Sequence, residues 1–111
     1  MAELRNVDVN EARELASQGA LLLDVREDDE WRSGRAPGAV HVPLAELPDH
    51  LDELARDRPI VCVCRSGGRS SRAGQFLVEQ GFEAVNLAGG MQAWAAAGED
   101  LVADGGEPSI I

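Results

Sequence analysis

The sequence predicts a single α/β domain with about five mainly parallel strands and helices on both faces of the sheet. Short apolar runs alternate along the chain with segments of helical periodicity, as in sheets whose parallel strands are joined by helices. The connections are short, and 111 residues are enough for one hydrophobic core but too few for two. We therefore expect one domain over residues 1–100, followed by a C-terminal tail at 101–111.

The first half of the chain contains one clear helix and two strands. Within DVNEARELASQG, Asp8 stands three residues before Glu11, as in a capping box, and Gly19 is a typical stop. The apolar run LLLDV at 21–25 is typical of a strand covered on both faces, and VHV at 40–42 is predicted as a second strand because the Pro37-Gly38 turn and Pro43 bracket it.

The second half repeats the alternation. Leucines at helical spacing in LPDHLDELARD predict a helix that ends before Pro59, and IVCVC at 60–64 predicts the next strand. A helix is then expected from about Ser70 to Gln80, the last strand at AVNL (84–87), and a last short helix in MQAWAAAG. Together these elements indicate a parallel, helix-covered sheet.

Composition and charge exclude several classes of function. The net charge of −10 argues against nucleic acid or an anionic membrane as a partner. No apolar run approaches the roughly 20 residues that span a bilayer, and the first ten residues lack a signal-peptide pattern, so we expect a cytoplasmic protein. His41 and His50 make no metal-ligand spacing with the two cysteines, so neither a metal nor another cofactor is expected.

One segment of this acidic chain is basic. Four arginines and no acidic residue lie between Arg58 and Val78, which gives +4, whereas the rest of the chain has six arginines against twenty acidic residues, or −14. This basic segment contains CRSGGRS, which follows the apolar strand and precedes the helix. It is therefore the candidate site for an anionic ligand.

Cys64 stands at the end of the predicted strand, and in open α/β sheets ligands bind at the carboxyl ends of strands. Gly67 and Gly68 allow the backbone to curl, so that successive amide groups and the N-terminus of the next helix form an anion-binding concavity. Such surroundings favour a thiolate over a thiol, which indicates a nucleophile. The alternative is a small buried cysteine in an ordinary strand-to-helix turn.

Four separated motifs resemble those of single-domain rhodanese-like sulfurtransferases over nearly the whole chain. LLLDVREDDEW resembles the Asp-Val-Arg segment of that family, GRAPGAVHVP its Pro-Gly-Ala turn, VCVCRSGGRSSRA its active loop and VNLAGGMQAW its closing Gly-Gly-x-x-x-Trp. The order and spacing of the motifs are more specific than any one of them. The chain departs from the pattern at Arg35, where the family often has histidine.

The resemblance implies a rhodanese-like fold and a sulfurtransferase activity. Cys64 would attack the outer sulfur of a donor, thiosulfate or a persulfide, and would then hold that sulfur as its own persulfide. A thiol acceptor, such as thioredoxin or another sulfur-relay protein, would collect it. The substrate-binding residues would be those of the loop, namely Arg65, Ser66, Gly67, Gly68, Arg69 and Ser70.

Residues outside the loop allow two interpretations each. By resemblance, Asp24 and Arg26 would brace the active loop; the alternative is an ordinary surface ion pair. Cys62 alternates with apolar neighbours and is predicted to lie in the core, the alternative being a resolving thiol. The acidic run REDDEW (26–31) is predicted to be a solvated helical turn.

Two other functions remain open from the sequence. Cysteine-dependent phosphatases and arsenate reductases also use a cysteine in a loop followed by an arginine, although the loop from Cys64 to Arg69 is one residue shorter than is typical of the phosphatases. A catalytically idle module that uses the same fold to bind a partner is the other alternative. The presence of Cys64 and a basic loop counts against it.

Overall fold

A computed structural model describes residues 3–111 as one open sheet with helices on both faces. Its strands are β1 (Arg5–Val7), β2 (Leu21–Asp24), β3 (Val40–His41), β4 (Ile60–Val63) and β5 (Ala84–Leu87). Its α-helices are α1 (Val9–Ser17), α2 (Asp28–Ser33), α3 (Gly68–Glu79) and α4 (Gly90–Ala96), and a 3₁₀ helix spans Leu44–Glu53. The predicted α/β fold class is therefore confirmed.

The five strands lie in the order β1-β5-β4-β2-β3, and every neighbouring pair is parallel. The chain leaves β2 toward β3 on one side and leaves β4 toward β5 on the other. The carboxyl ends of β2 and β4 therefore flank the point where the direction of winding reverses, which is the usual ligand position in open α/β sheets. Asp24 ends β2, and Cys64 follows β4 directly.

Alternating side chains of the strands build a separate core on each face of the sheet. One core packs α3 and the 3₁₀ helix against the sheet and includes Leu23, Cys62, Cys64 and Leu77. The other packs α1 and α4 and includes Ala12, Val61, Leu87, Met91 and Trp94. Because both faces are covered, β2, β4 and β5 are buried along their whole length, which explains their continuous apolar runs.

The predicted signals at the ends of α1 are confirmed. The Asp8 carboxylate accepts a hydrogen bond of 2.8 Å from the amide of Glu11 and so satisfies a free donor of the first turn. After the helix, Gly19 adopts a φ of +104°, a left-handed conformation that suits glycine. The chain then turns directly into β2.

Two elements differ from the sequence-based expectation. The leucine-rich segment forms a 3₁₀ helix instead of an α-helix, because Pro48 lies inside it and cannot donate a backbone hydrogen bond there. The fifth strand, which no sequence pattern located, is β1 at the edge of the sheet. It is three residues long and only Val7 is buried, so it carries no apolar run.

The segment 101–111 contains no helix but packs against the rest of the molecule. Val102 forms an isolated antiparallel bridge with Arg35, and the amide of Ser109 donates to the carbonyl oxygen of Ser33 at 2.9 Å. The carbonyl oxygen of Ile111 accepts a 2.9 Å hydrogen bond from Nε of Arg65. The segment thus runs from α4 past α2 to the loop after β4. None of the helices within residues 3–111 is long and apolar enough to span a bilayer.

Candidate active site

Cys64 lies in the loop that joins β4 to α3, with its sulfur directed toward the start of that helix. The amide of Gly67 donates to the Sγ of Cys64 at 3.1 Å, and the Ser70 hydroxyl approaches the same atom at 3.3 Å. Gly67 makes this curl possible with a φ of +111°, in the left-handed region. The loop therefore curls after Cys64 as predicted and brings two hydrogen-bond donors to its sulfur.

These donors alter the acidity of Cys64. Burial by itself raises the pKa of the thiol, but hydrogen bonds from the Ser70 hydroxyl and from the amides of Ser70, Gly67 and Ser66 act in the opposite direction and prevail. The resulting pKa lies below its ordinary value. The loop thus stabilises the thiolate, which is the nucleophilic form of cysteine.

The N-terminus of α4 supports the loop from the other side. The amide of Met91 donates to the carbonyl oxygen of Cys64 at 2.7 Å, and the amide of Gln92 donates to that of Arg65 at 3.0 Å. Gly90 permits this approach, since a Cβ at that position would lie 2.4 Å from the Cys64 carbonyl oxygen. The Gly-Gly motif before Trp94 therefore serves to bring a helix end against the reactive loop.

Asn86 is a site residue that the sequence analysis missed. It is buried in β5, and its Oδ1 lies 2.5 Å from the Ser70 hydroxyl oxygen, so that Asn86 and the Cys64 sulfur share the single hydroxyl proton of Ser70. Its Nδ2 donates to Oδ1 of Asn6 at 2.9 Å and to the carbonyl oxygen of Gly67 at 3.3 Å. Asn86 thus holds both residues that donate to the Cys64 sulfur. An asparagine inside an otherwise apolar strand is a sequence signal for such a network, because buried polar groups need partners.

The two arginines of the loop make different contacts. Arg65 is exposed and its Nε donates to the Ile111 carbonyl oxygen. Arg69 forms a two-bond ion pair with Glu30 of α2, Nη1 to Oε1 at 2.7 Å and Nη2 to Oε2 at 2.8 Å. The sequence predicts a solvated helical turn at 26–31. The turn is helical, but the Glu30 carboxylate binds Arg69 and is not free in solvent.

Asp24 and Arg26 form a fully buried ion pair, so the surface alternative is wrong. The Arg26 side chain donates to both carboxylate oxygens of Asp24, with Nη2 at 2.7 Å from Oδ2, and also to the Gly34 carbonyl oxygen at 2.7 Å. These bonds tie the end of β2 to the end of α2. Because α2 carries Glu30, the pair positions the partner of Arg69.

The sequence pattern described as a rhodanese-like domain matches residues 8–97. The chain belongs to the rhodanese-like family.

Its relatives include proteins named for sulfur transfer. The chain is 40% identical over 91 residues to a sulfurtransferase of Allochromatium vinosum, covering 81% of this chain and 85% of that protein. It is 34% identical over 106 residues to the thiosulfate sulfurtransferase GlpE of Pseudomonas savastanoi pv. phaseolicola, covering 95% and 100%. A rhodanese-related protein of Thermoplasma volcanium superimposes with a TM-score of 0.83 at 31% identity, covering 88% and 97%. These relatives support a sulfurtransferase activity.

Two further residues have distinct places in this rhodanese-like domain. Cys62 is fully buried in the core as predicted, and burial raises its pKa to about 12. Arg35, at the position where the family often has histidine, stacks over the Trp31 ring and pairs with Asp104 at 2.7 Å. Arg35 therefore anchors the segment 101–111.

The described part of this rhodanese-like domain, residues 3–111, has no group of three His, Cys, Asp or Glu side chains arranged to hold a metal ion. The chemistry available at the site is that of the cysteine thiolate, the backbone amides around it and the nearby arginines.

Proposed function

We propose that this sulfurtransferase moves a sulfane sulfur from a donor such as thiosulfate to a thiophilic acceptor through a persulfide on Cys64. The observation that supports this most directly is the ring of donors around Cys64 Sγ, which lowers the pKa of the thiol. A thiolate that is already formed needs no separate general base. The name of the GlpE relative supports thiosulfate as the donor.

In the first half-reaction the Cys64 thiolate attacks the outer sulfur of thiosulfate. A bond forms between Sγ and that sulfur, the sulfur–sulfur bond of thiosulfate breaks, and sulfite leaves with the electron pair. Cys64 then carries a persulfide anion. The amides of Ser66, Gly67 and Ser70, which act on Sγ, would stabilise this anion, as preorganised donors do in other covalent mechanisms.

In the second half-reaction an acceptor thiolate attacks the outer sulfur of the persulfide. The Sγ–S bond breaks, its electron pair returns to Cys64 as the thiolate, and the acceptor leaves with the transferred sulfur. A thiol of thioredoxin or of another sulfur-relay protein could serve as the acceptor. Because Cys64 must remain reduced between cycles, we propose that the protein works in the reducing cytoplasm.

The loop side chains would bring in the donor. Arg65 is exposed beside Cys64 and would attract the anionic end of thiosulfate, whereas Ser66, Gly67, Gly68 and Ser70 contribute through the backbone or, for Ser70, the hydroxyl. Arg69 is close to the same position but is paired with Glu30. The Arg65→Ala variant should therefore have a higher KM for thiosulfate, and the deficit should shrink as salt screens the charge.

Intact-mass measurement tests the proposal. After incubation with thiosulfate the protein should gain the mass of one sulfur atom, lose it on addition of cyanide or a thiol, and show no hydrolysis of aryl phosphates. Hydrolysis of aryl phosphates that depends on Cys64, with no persulfide from any donor, would support a cysteine phosphatase instead. If the protein catalyses neither reaction, the non-catalytic binding module is the alternative that remains.

A further inference from the structure

The ion pair between Glu30 and Arg69 changes the charge that the site presents to a donor. Both guanidinium terminal nitrogens of Arg69 bind the two carboxylate oxygens of Glu30, and the side chains are 30% and 13% exposed, respectively. A carboxylate and a guanidinium in direct contact largely cancel each other's electric field at distances greater than their own separation. One of the two arginines beside Cys64 is thus neutralised.

This neutralisation persists at all pH values where the enzyme has a Cys64 thiolate. The hydrogen bond from Arg69 lowers the pKa of Glu30 to about 2, although burial acts in the other direction. Glu30 in turn raises the pKa of the Arg69 guanidinium above its ordinary value, and the Cys64 thiolate contributes to that rise. Arg69 is the second residue of α3 and stands between Gly67 and Ser70, which both contact the Cys64 sulfur, so its charge lies near that sulfur.

Glu30 is also fixed in place by its own helix. Its Oε1 accepts a 3.0 Å hydrogen bond from the amide of Glu27, which closes the capping box at the start of α2. The buried pair of Asp24 and Arg26 anchors the end of α2 through Gly34. The carboxylate is therefore held against Arg69 by the fold.

We propose that Glu30 is a specificity-determining residue, which lowers the preference of the site for a dianionic sulfur donor by neutralising Arg69. This inference rests on the proposed sulfur transfer through Cys64. Thiosulfate carries two negative charges, and methanethiosulfonate has the same sulfane sulfur and a similar shape with only one. Comparing the two donors isolates the contribution of charge.

The Glu30→Gln variant removes the charge and one of the two hydrogen bonds from Arg69, because an NH2 group replaces one accepting oxygen. Glutamine has nearly the same volume and keeps an amide oxygen that can accept from Glu27, so α2 can retain its capping bond. Asp29→Asn is the matched control, because it removes one exposed acidic charge from the first turn of the same helix while leaving the capping box and both bonds between Glu30 and Arg69. Arg69→Gln is the opposite change and leaves the Glu30 charge without its partner.

The first measurement does not depend on sulfur transfer. Iodoacetate and iodoacetamide alkylate the same thiolate and differ in charge, so the ratio of their rates at Cys64 reports the local potential and cancels any change in thiolate fraction. Glu30→Gln should raise the ratio of iodoacetate to iodoacetamide rates about threefold at low salt, and Arg69→Gln should lower it by a similar factor. Asp29→Asn should change this ratio far less, and high salt should diminish the effects of Glu30→Gln and Arg69→Gln.

The second measurement uses the donors. Glu30→Gln should raise kcat/KM for thiosulfate about threefold relative to methanethiosulfonate, mainly through KM. An unchanged alkylation ratio, an equal rise in Asp29→Asn, or a loss of thiosulfate use in Glu30→Gln would overturn the assignment. The last of these results would mean that Glu30 orients Arg69 for binding. If the wild type forms no persulfide at all, the proposed function fails, and the alkylation ratio still decides the effect of Glu30.

Discussion

The amide of Met91 donates to the carbonyl oxygen of Cys64 at 2.7 Å, so the N-terminus of α4 holds the residue whose sulfur reacts. This contact fixes the path of the loop backbone, while the amides of the same loop face the sulfur. The position of α4 and the acidity of Cys64 are therefore linked through a single stretch of backbone.

We expect Gly90→Ala to separate α4 from the loop. The new Cβ would lie 2.4 Å from the Cys64 carbonyl oxygen and 2.7 Å from the Arg65 carbonyl carbon, and the φ of Gly90 is +56°. Overpacking against rigid backbone should lower the free energy of unfolding by roughly 1–3 kcal/mol and reduce sulfur transfer. Chemical denaturation and steady-state kinetics measure the two effects.

Gly98→Ala is the control for that substitution. Gly98 also has a left-handed φ, +78°, but no atom lies within 4 Å of its Cβ position. This variant should show only the cost of backbone strain and keep its activity. Equal loss of stability and full activity in both variants would show that the close approach of Gly90 is unimportant.

Cys64→Ser should reduce sulfur transfer to the uncatalysed rate and should take up no sulfur from thiosulfate, because a hydroxyl is a far poorer nucleophile than a stabilised thiolate. Cys62→Ser should keep the activity of each folded molecule. It should lose about 1–3 kcal/mol of stability, since it places a hydroxyl in the apolar core. Activity in Cys64→Ser and none in Cys62→Ser would reverse the assignment of the nucleophile.

Ser70→Ala should raise the pKa of Cys64, because it removes the side-chain donor that approaches Sγ. The wild-type pKa is lowered on folding, so the folded state gains stability above the ordinary thiol pKa of about 8.5 and loses this gain as the pH falls through the lower folded-state value. In Ser70→Ala the pH midpoint of alkylation by iodoacetamide should move upward. Alkylation below that midpoint should be several-fold slower.

Ser71→Ala is the matched control for Ser70→Ala. Ser71 is the next residue of α3, and the hydrogen bonds to Cys64 Sγ come from Gly67 and Ser70. Its alkylation profile should follow that of the wild type. If both variants shift the midpoint equally, the change arises from α3 as a whole and the Ser70 hydroxyl has no specific role.

Asp24→Ala should be strongly destabilising. It leaves the Arg26 guanidinium buried without its carboxylate, and breaking a buried ion pair costs about 3–5 kcal/mol. Arg13→Ala breaks the pair between Arg13 and Glu99, in which the arginine is exposed, and should cost less than about 1 kcal/mol. Urea denaturation of the two variants checks this, and similar losses would mean that the buried pair contributes no more than a surface one.

The sequence predicted the elements whose conformation is determined by residues close together in the chain. The strand that ends at Val63 and the reactive loop after it follow from a continuous apolar run, two glycines and a cysteine. The edge strand β1 could not be predicted, because Arg5 and Asn6 are exposed in it and its pairing depends on β5, some eighty residues later. The position of Pro48 was a local signal for the 3₁₀ helix, but leucine spacing alone did not distinguish it from an α-helix.

The same distinction applies to the site. Cys64 and its glycines could be identified from seven consecutive residues, whereas Glu30 contacts a residue 39 positions away. In REDDEW, four acidic residues stand in a row, and only the helix geometry and the position of α3 decide which of them meets Arg69. Asn86 was closer to being predictable, since a polar side chain in a buried strand requires a partner.

The pairing of β1 with β5 determines when the site can be completed during synthesis. Asn6 of β1 bonds to Asn86 of β5, Asn86 holds Ser70 and Gly67, and α4 follows only after residue 89. A growing chain that has exposed only the loop after Cys64 therefore lacks Asn86 and α4, which hold the loop residues that donate to the sulfur. Because such non-local pairing is slow to form, we expect the lowered pKa of Cys64 to arise only after the chain as far as α4 has been made.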